Sequence, residues 1–338
     1  MKAVGYAKSL PVTDPNALTD FTAEMPTPGP RDLRVAVKAI SVNPVDTKVR
    51  MRSQPTAGEP PKVLGYDAAG VVEAVGADVT LFKAGDEVFY AGSIARPGTN
   101  AEFHLVDERI VGRKPKSLTF AQAAALPLTS ITAWEMLFDR LGVKPGKTPD
   151  GRALLVIGGA GGVGSIMIQL ARKLTALTII ATASRKETRD WCLKLGADHV
   201  IDHSKPLAEQ LRAIGHPQVA LVAGVTGTDQ SAPQLPDIIA PQGQFVLIDD
   251  PKTLNAMPFK PKSISVHWES MFTRSVFQTA DMIAQHRLLN EVSAMIDAGL
   301  VITTAAQEFS PINATNLIKA HAQIESGTTI GKVVLSGW

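Results

Sequence analysis

The chain has 338 residues, of which 45% are hydrophobic and 20% are charged, and its 34 basic and 32 acidic side chains leave a formal net charge of +2. This composition predicts a globular protein of about two domains, and the balanced charge argues against a nucleic-acid or membrane partner. The single cysteine, Cys192, excludes an internal disulfide and a four-cysteine zinc site. No apolar run approaches the ~18 residues that cross a bilayer, so we expect a cytoplasmic protein.

Residues 1–127 are predicted to be mostly β-structure. The stretch "LRVAVKAI" alternates, with Leu33, Val35 and Val37 on one face of a strand. The stretches "GVVEAVG" and "DEVFYAG" are further short strands bounded by turn residues. Many short strands of this kind predict a barrel-like β domain.

Strands and helices then alternate along the chain. The predicted strands are "ALLVI", "LTIIATA", "HVIDH", "QVALVAGV", "QFVLIDD" and "SISVHW", and helices are predicted at "GSIMIQLARKL" and "KETRDWCLKLG". Continuous apolar strands separated by helices predict a parallel sheet covered on both faces. A helix "TADMIAQHRLLNEVSAMIDAG" and the strands "VITTAAQEFS" and "KVVLSGW" follow.

The segment "ALLVIGGAGGVGSIMIQLAR" places Gly159, Gly161 and Gly164 in G-x-G-x-x-G spacing between a strand and a helix. In that context the spacing is typical of a dinucleotide-binding loop. Gly159 would permit the tight turn, Gly161 would admit a pyrophosphate, and Gly164 would let the helix pack on the strand. The free N–H groups of the helix N-terminus would bind the phosphates. A merely flexible turn is the alternative.

The next strand ends in Ser184, Arg185 and Lys186. In an NAD-binding unit this strand usually ends in an acidic residue that binds the ribose 2′-hydroxyl. An acidic residue would repel a 2′-phosphate, whereas Arg185 can bind one in bidentate fashion. The sequence therefore predicts NADPH as the cofactor. The alternative is a solvated start to the following helix.

The order of the motifs "GYDAAGVVEAVG", "KAGDEVFYAG", "AAALPLTSITAWEML" and "GGAGGVG" resembles that of the medium-chain dehydrogenase/reductase superfamily. The resemblance is closest to its zinc-free quinone oxidoreductase-like branch, whose members are often labelled zinc-type alcohol dehydrogenase-like. It implies an α/β fold, with a GroES-like β-barrel catalytic domain at 1–127 and a Rossmann-type doubly wound parallel sheet at 128–270. The segment 271–338 is then expected to return to the catalytic domain.

Zinc-dependent members of this superfamily use a cysteine, a Gly-His-Glu motif and a third ligand. Here "SVNPVDTKVR", with Asn43 and Asp46, occupies the cysteine region, and Tyr66 and Asp67 replace the His-Glu pair. Because a catalytic zinc needs about three close ligands, we expect no bound metal. Convergence of Asp46, Asp67 and His104 on a metal is the alternative.

The resemblance also implies roles for single residues. Asn43 would lie beside the nicotinamide, and Thr129 would face it, a role compatible with capping a helix N-terminus. Lys48 and Tyr66 are candidate proton donors; the alternatives are a surface lysine, a buried structural tyrosine and water as the proton source. The remaining expected cofactor contacts are Gly161, Gly162, Val163 and Gly164 at the pyrophosphate, Arg185 at the 2′-phosphate, His203 at the adenine ribose, Ile248 and Asp249 at the nicotinamide ribose, and Gly331 and Lys332 at the C-terminal segment.

Together these features predict an NADPH-dependent, zinc-independent reductase of quinones or α,β-unsaturated carbonyls. Trp268, Met271 and Phe272 would give its substrate an apolar wall. One alternative is a zinc-type alcohol dehydrogenase with an atypical metal site. Another is a non-catalytic NADPH-binding sensor or a lens-crystallin-like structural protein. A homodimer is also expected, formed by pairing of the edge strand "SISVHW" across a two-fold axis.

Overall fold

Two chain segments, Met1–Ile131 and Phe272–Trp338, form the first structural unit, and Thr132–Met271 forms the second. The computed structural model describes residues 1–56, 58–149 and 151–338. Within these ranges no helix is long and apolar enough to cross a membrane.

The first unit is mainly β-structure, and its helices lie in the connections between its strands. Its elements up to Ile131 are β1 (Lys2–Tyr6), β2 (Thr19–Thr22), β3 (Asp32–Val42), α1 (Pro44–Arg52), β4 (Lys62–Val63), β5 (Ala68–Val75), β6 (Glu87–Tyr90), β7 (Phe103–Asp107), β8 (Val111–Arg113), α2 (Phe120–Ala124) and the start of α3 (Pro127–Trp134).

The central strand of the first unit is β3. Its sheet has the order β15-β16-β3-β5-β6-β8, where β15 and β16 come from the C-terminal segment defined below, and β7 also pairs with β3. The predicted alternation is confirmed, because Leu33, Val35 and Val37 are buried in the core of this unit. A smaller sheet has the order β2-β1-β4.

The second unit alternates strands and helices. Its elements are the end of α3, which a π-helical turn at Glu135–Arg140 continues, then β9 (Ala153–Ile157), α4 (Gly162–Leu174), β10 (Thr178–Thr182), α5 (Lys186–Leu195), β11 (His199–Ile201), α6 (Leu207–Ala213), β12 (Val219–Gly224), α7 (Thr228–Ser231), α8 (Leu235–Ile238), β13 (Ile239–Leu247) and β14 (Ser265–Trp268).

The six strands from β9 to β14 form one parallel sheet in the order β11-β10-β9-β12-β13-β14. This is the 3-2-1-4-5-6 order of a doubly wound sheet, in which the strand order reverses between the first and fourth strands. Ligands of such sheets bind outside the carboxyl ends of the strands near that reversal. The glycine-rich segment follows β9 directly and therefore lies at this place.

The C-terminal segment contains α9 (Thr273–Phe277), α10 (Ala284–Asp297), β15 (Ala305–Phe309), α11 (Ala314–Glu325) and β16 (Lys332–Ser336). The predicted helix over residues 279–299 is shorter than expected. Gln278 has a left-handed backbone, and Asp281 accepts hydrogen bonds from Thr279 Oγ1 at 2.6 Å and Arg274 Nε at 2.9 Å. These local bonds hold a turn, so the helix begins only at Ala284.

Candidate functional site

The glycine-rich turn lies between β9 and α4. Gly161 is the N-cap of α4, and a Cβ built there would meet nothing nearer than the Gly158 carbonyl oxygen at 3.8 Å. A Cβ on Gly164 would lie 2.4 Å from that same oxygen, so the helix and the turn touch at this point. The turn is therefore open at Gly161 and closed at Gly164, as a cradle for a pyrophosphate requires.

The first helical residues of α4, Gly162 and Val163, are half-buried and follow the open position. The N–H groups of a helix's first turn have no partner within the helix and carry the positive end of its dipole. A phosphate group fits this position on charge and on space.

The structure corrects the role expected for Gly159. The left-handed backbone of the turn lies at Gly158, with φ of +88°, and not at Gly159. Gly159 lacks a side chain for another reason, because a Cβ there would lie 2.8 Å from Ala181 Cβ and 3.0 Å from Cys192 Sγ. Cys192 is thus a packing residue, and its burial raises the pKa of the thiol to about 12.

The residues at the end of β10 surround this turn. Thr182 Oγ1 accepts a hydrogen bond from Gly158 N at 3.0 Å and lies 3.3 Å from His203 Nδ1. Ser184 and Arg185 are exposed, and Arg185 is the N-cap of α5. The structure therefore brings His203 to the glycine-rich turn through one shared threonine.

Lys186 begins α5 and is also exposed. Its Nζ forms an ion pair with Asp190 Oδ2 at 2.6 Å, one helical turn later. The residues after β10 therefore carry basic side chains and lie at the positive end of the dipole of α5. They stand in place of the acidic residue that is typical of NAD-binding strands.

Ile248 and Asp249 follow the carboxyl end of β13, and both are half-buried. The Asp249 carboxylate accepts hydrogen bonds from Thr228 N at 2.9 Å and from Thr228 Oγ1. It therefore fixes the start of α7, which is a structural role that the sequence did not indicate. A contact of either residue with a cofactor stays a prediction.

In the first unit, the residues from Ala39 to Asn43, at the end of β3 and just after it, are all buried. The side chain of Asn43 is fully engaged, because Nδ2 donates to Asp67 Oδ2 at 2.8 Å and Oδ1 accepts from Lys332 Nζ at 2.6 Å. Its backbone N–H donates to Asp46 Oδ2 at 2.7 Å and caps the start of α1. The amide is thus held in one orientation.

The centre of this network is an ion pair between Asp67 and Lys332, both of which are buried. Lys332 Nζ lies 3.3 Å from Asp67 Oδ2 and also donates to the Val42 carbonyl at 2.8 Å. Asp67 accepts two further hydrogen bonds, from Ser41 Oγ at 2.9 Å and from Leu128 N at 2.8 Å, near the start of α3. Lys332, expected at the cofactor, is therefore surrounded by three protein oxygens.

Burial sets the protonation of these groups. It raises the pKa of Asp67 and lowers that of Lys332, while the opposite charge of each partner counteracts the shift. Burial raises the pKa of Asp46 to about 7, although its carboxyl accepts hydrogen bonds from Asn43 N and from Gly65 N at 3.0 Å. One ammonium thus faces two buried carboxyl groups.

Tyr66 is flanked in sequence by Gly65 and Asp67, both of which form hydrogen bonds within this network. The side chain is 1% exposed, and its ring contacts Phe272 edge-on, with centroids 5.3 Å apart. Burial raises the pKa of its hydroxyl, and the nearby Asp46 adds to this effect. Of the predicted apolar wall, Phe272 and Met271 are buried and Trp268 is exposed.

Three other predicted site residues of the first unit are Thr129, Lys48 and Gly331. Thr129 is buried, and its hydroxyl donates to the Leu126 carbonyl at 3.1 Å. It is the third residue of α3, so its interpretation as a helix N-cap is wrong. Lys48 is half-buried on α1. Gly331 has φ of +57° before β16, and a Cβ there would lie 2.4 Å from the Thr304 carbonyl oxygen.

The proposed alternative ligand set does not fit a catalytic zinc. His104 is buried, with Nδ1 3.2 Å from Tyr90 Oη and Nε2 2.9 Å from the Pro97 carbonyl oxygen, and burial lowers its pKa to about 4. Asp46 and Asp67 already accept N–H donors on both oxygens. Among the residues that the structure describes, no group of three His, Cys, Asp or Glu side chains could hold a metal ion.

The sequence indicated most of these residues but did not indicate the hydrogen bonds and the ion pair that connect them. Ser41 was not singled out, although it is the polar residue of the otherwise apolar stretch "AISV" at the end of β3. That interruption is the one local signal for a buried polar network at the end of β3. Phe272 was expected beside the substrate, and the structure places it against Tyr66.

Comparisons with known proteins agree with this architecture. The alcohol dehydrogenase GroES-like domain model matches residues 29–127, and the zinc-binding dehydrogenase model matches residues 195–335. A zinc-type alcohol dehydrogenase-like protein of Staphylococcus aureus is 41% identical over 99% of this chain and 100% of its own.

Two solved structures extend this result. A Rhizobium etli protein, whose name assigns it provisionally to the zinc-dependent alcohol dehydrogenases, is 60% identical, with a TM-score of 0.96 over 100% of this chain and 98% of its own. The quinone oxidoreductase of Escherichia coli, solved in complex with NADPH, is 27% identical, with a TM-score of 0.84 over 99% of this chain and 100% of its own.

Proposed function

The chain belongs to the medium-chain dehydrogenase/reductase superfamily, and on that premise we propose that it is an NADPH-dependent, zinc-independent reductase of quinones or α,β-unsaturated carbonyls. The protein is an oxidoreductase by family. The cofactor, the absence of a catalytic metal and the class of acceptor are the proposal.

The glycine-rich turn supports binding of a dinucleotide. Gly161 leaves space beside the N-terminus of α4, and Thr182 and His203 lie next to the same turn. Arg185 and Lys186 are the exposed basic residues proposed to meet a 2′-phosphate, and a charged hydrogen bond from either would favour the phosphorylated cofactor. When bound, NADPH supplies a hydride with its electron pair.

The observation that carries the choice of reaction is the buried network of Asn43, Asp67 and Lys332. Oxidation of an alcohol is helped by a Lewis acid that stabilises the alkoxide. Here the ammonium of Lys332 already neutralises Asp67, and the neighbouring oxygens accept protein N–H and O–H donors. Acceptors that are already electrophilic, such as quinones and conjugated carbonyls, have less need of a Lewis acid.

The residues of the first unit then position the reactants. Asn43 and Thr129 are the groups proposed to contact the nicotinamide, and both have their side chains fixed by hydrogen bonds. Fixed groups cost no reorganisation when the reaction occurs, which favours catalysis by orientation. Phe272 gives the neighbourhood an apolar side, which suits a flat and weakly polar acceptor.

Steady-state kinetics with a panel of acceptors tests this proposal. The purified protein is assayed for NADPH and NADH oxidation with a benzoquinone, a naphthoquinone and a linear enone, and for reduction of NADP+ by ethanol and benzyl alcohol. We expect turnover of a quinone or an enone with NADPH and very slow oxidation of the alcohols. Efficient alcohol oxidation without quinone or enone turnover would favour the alcohol dehydrogenase, and no turnover of any kind would favour a sensor.

A further inference from the structure

We propose that the hydroxyl of Tyr66 is the hydrogen-bond donor for the acceptor's carbonyl oxygen as that oxygen gains negative charge. This inference rests on the proposed function and names a catalytic residue for it. Four observations support it: the unpartnered hydroxyl, the rigidity of the segment that carries it, its protonation and its position near Asp46 of the buried network.

Tyr66 differs from the other two tyrosines of the chain in its hydrogen bonds. Tyr6 Oη donates to the Ser53 carbonyl at 2.7 Å, and Tyr90 Oη lies 3.2 Å from His104 Nδ1. Tyr66 is equally buried, but within the described part of the chain its hydroxyl makes no hydrogen bond. The hydroxyl is not among the fully enclosed unpaired polar atoms of the described residues, so it is open to solvent and available to a partner from outside the chain.

The segment around Tyr66 is held on both sides. Gly65 has φ of +109°, and a Cβ there would lie 2.5 Å from both Asn100 Oδ1 and Thr99 Oγ1. The Gly65 N–H donates to Asp46, and its carbonyl accepts from Thr99 N at 2.9 Å. A donor carried by so fixed a backbone is preorganised, which is what stabilisation of a developing oxyanion requires.

The local environment keeps Tyr66 a donor. Burial raises the pKa of the hydroxyl well above its ordinary value, so it stays protonated around neutral pH. Phe272 holds the ring from the side in an edge-on contact. The carboxyl of Asp46, which belongs to the buried network, lies near enough to add to this rise in pKa.

The proposed step balances without any further oxidant or reductant. When bound, NADPH would supply a hydride, with the breaking of its own C–H bond, to form a C–H bond at the β-carbon of an enone, and the electrons of the carbon–carbon double bond would shift to make an enolate. The Tyr66 O–H donates a hydrogen bond to the enolate oxygen and keeps its own proton. Water then protonates the α-carbon, so the acceptor gains one hydride and one proton overall.

Lys48 is the competing donor and defines the second arm of the test. It is half-buried on α1, and its long side chain could also reach an oxygen. Lys48 already makes an interaction within the chain, and a long lysine side chain loses more rotamer entropy than a phenol when a substrate orders it, so it is the weaker candidate for preorganised stabilisation.

The experiment compares Tyr66→Phe, Tyr90→Phe and Lys48→Met in the full-length protein. We expect Tyr66→Phe to lower kcat for an enone by about 10²-fold, the loss typical for one oxyanion donor, with the KM for NADPH unchanged. Its melting temperature should equal that of the wild type, because no hydrogen bond within the chain is lost. Tyr90→Phe is the matched control, and it should lower the melting temperature while kcat changes by less than about twofold.

Retention of the wild-type kcat by Tyr66→Phe would overturn the inference, as would a large loss of kcat confined to Lys48→Met. A loss of kcat in Tyr66→Phe accompanied by an equal loss in Tyr90→Phe would also overturn it, because the effect would then be structural. If the wild type reduces neither quinones nor enones, the proposed function fails first, and that result is distinguishable from a failure of Tyr66 alone.

Discussion

Replacement of Lys332 by methionine tests the buried network that defines the candidate site. Methionine keeps much of the side-chain length but removes donors to the Val42 carbonyl, to Asn43 Oδ1 and to Asp67. Removal of one partner of a buried ion pair costs about 3–5 kcal/mol, because the other charge is left uncompensated. Asp67 retains Ser41 and other donors, so we expect the lower end of this range. At 2–4 °C per kcal/mol, the melting temperature should fall by about 6–12 °C.

The pH dependence of this loss identifies its cause. Burial raises the pKa of Asp67, and Lys332 is the main group that opposes the shift, so the variant should hold a proton on Asp67 to higher pH. A carboxyl whose folded pKa is raised contributes stability at low pH that is lost as the pH rises through that pKa. The difference in melting temperature should therefore be smaller at about pH 5 than at about pH 8.

Thermal unfolding of Lys332→Met, Asp67→Asn and the double variant provides the assay and its control. The double variant Lys332→Met/Asp67→Asn removes both charges, so it should recover part of the loss seen in Lys332→Met, with a coupling of about 1 kcal/mol or more. Additive losses, or the same loss at both pH values, would refute the assignment of Lys332 as the counter-charge of Asp67.

Three further predictions concern the cofactor, acid stability and assembly. Arg185→Ala should weaken NADPH binding at least about tenfold, as expected for the loss of one charged contact, and leave NADH binding nearly unchanged; equal losses in a binding titration of both cofactors would show that Arg185 does not read the phosphate. Burial lowers the pKa of His321 to about 3, so the stability that the neutral imidazole contributes is lost as the pH falls below the ordinary value of 6.5. His321→Leu should therefore flatten the fall in melting temperature with acid, and an unchanged slope would contradict this. The edge strand β14 should pair in a homodimer, and light scattering that reports a monomer near 35.9 kDa would reject it.

Local patterns in the sequence predicted much of the fold. The alternation around Val35 predicted the buried face of β3, and the glycine spacing located the glycine-rich turn between β9 and α4. These signals are local, because the side chains of a strand alternate between its two faces every two residues and the glycines of the turn are contiguous in sequence. The helices α1 and α11 were not predicted: α1 has no clear apolar face, whereas the helical spacing of Leu317, Ala320 and Ile324 was a signal for α11 that was missed.

The network of the candidate site could not be predicted in the same way. Lys332 and Asn43 are 289 residues apart in sequence, and only the pairing of β16 with β3 brings them together. Periodicity carries no information about such a contact. The sequence assigned the tight turn to Gly159, whereas the left-handed backbone lies at Gly158, because adjacent glycines look alike until the backbone is known.

The activity of the metal-depleted enzyme tests the central proposal most directly. The protein is treated with a strong chelator, its zinc content is measured, and NADPH oxidation is followed with one quinone and one enone. If hydride transfer needs no zinc, the depleted enzyme retains the full rate with less than about one tenth of an equivalent of zinc per chain. Loss of the rate on depletion and its return with about one equivalent of added zinc would contradict the account.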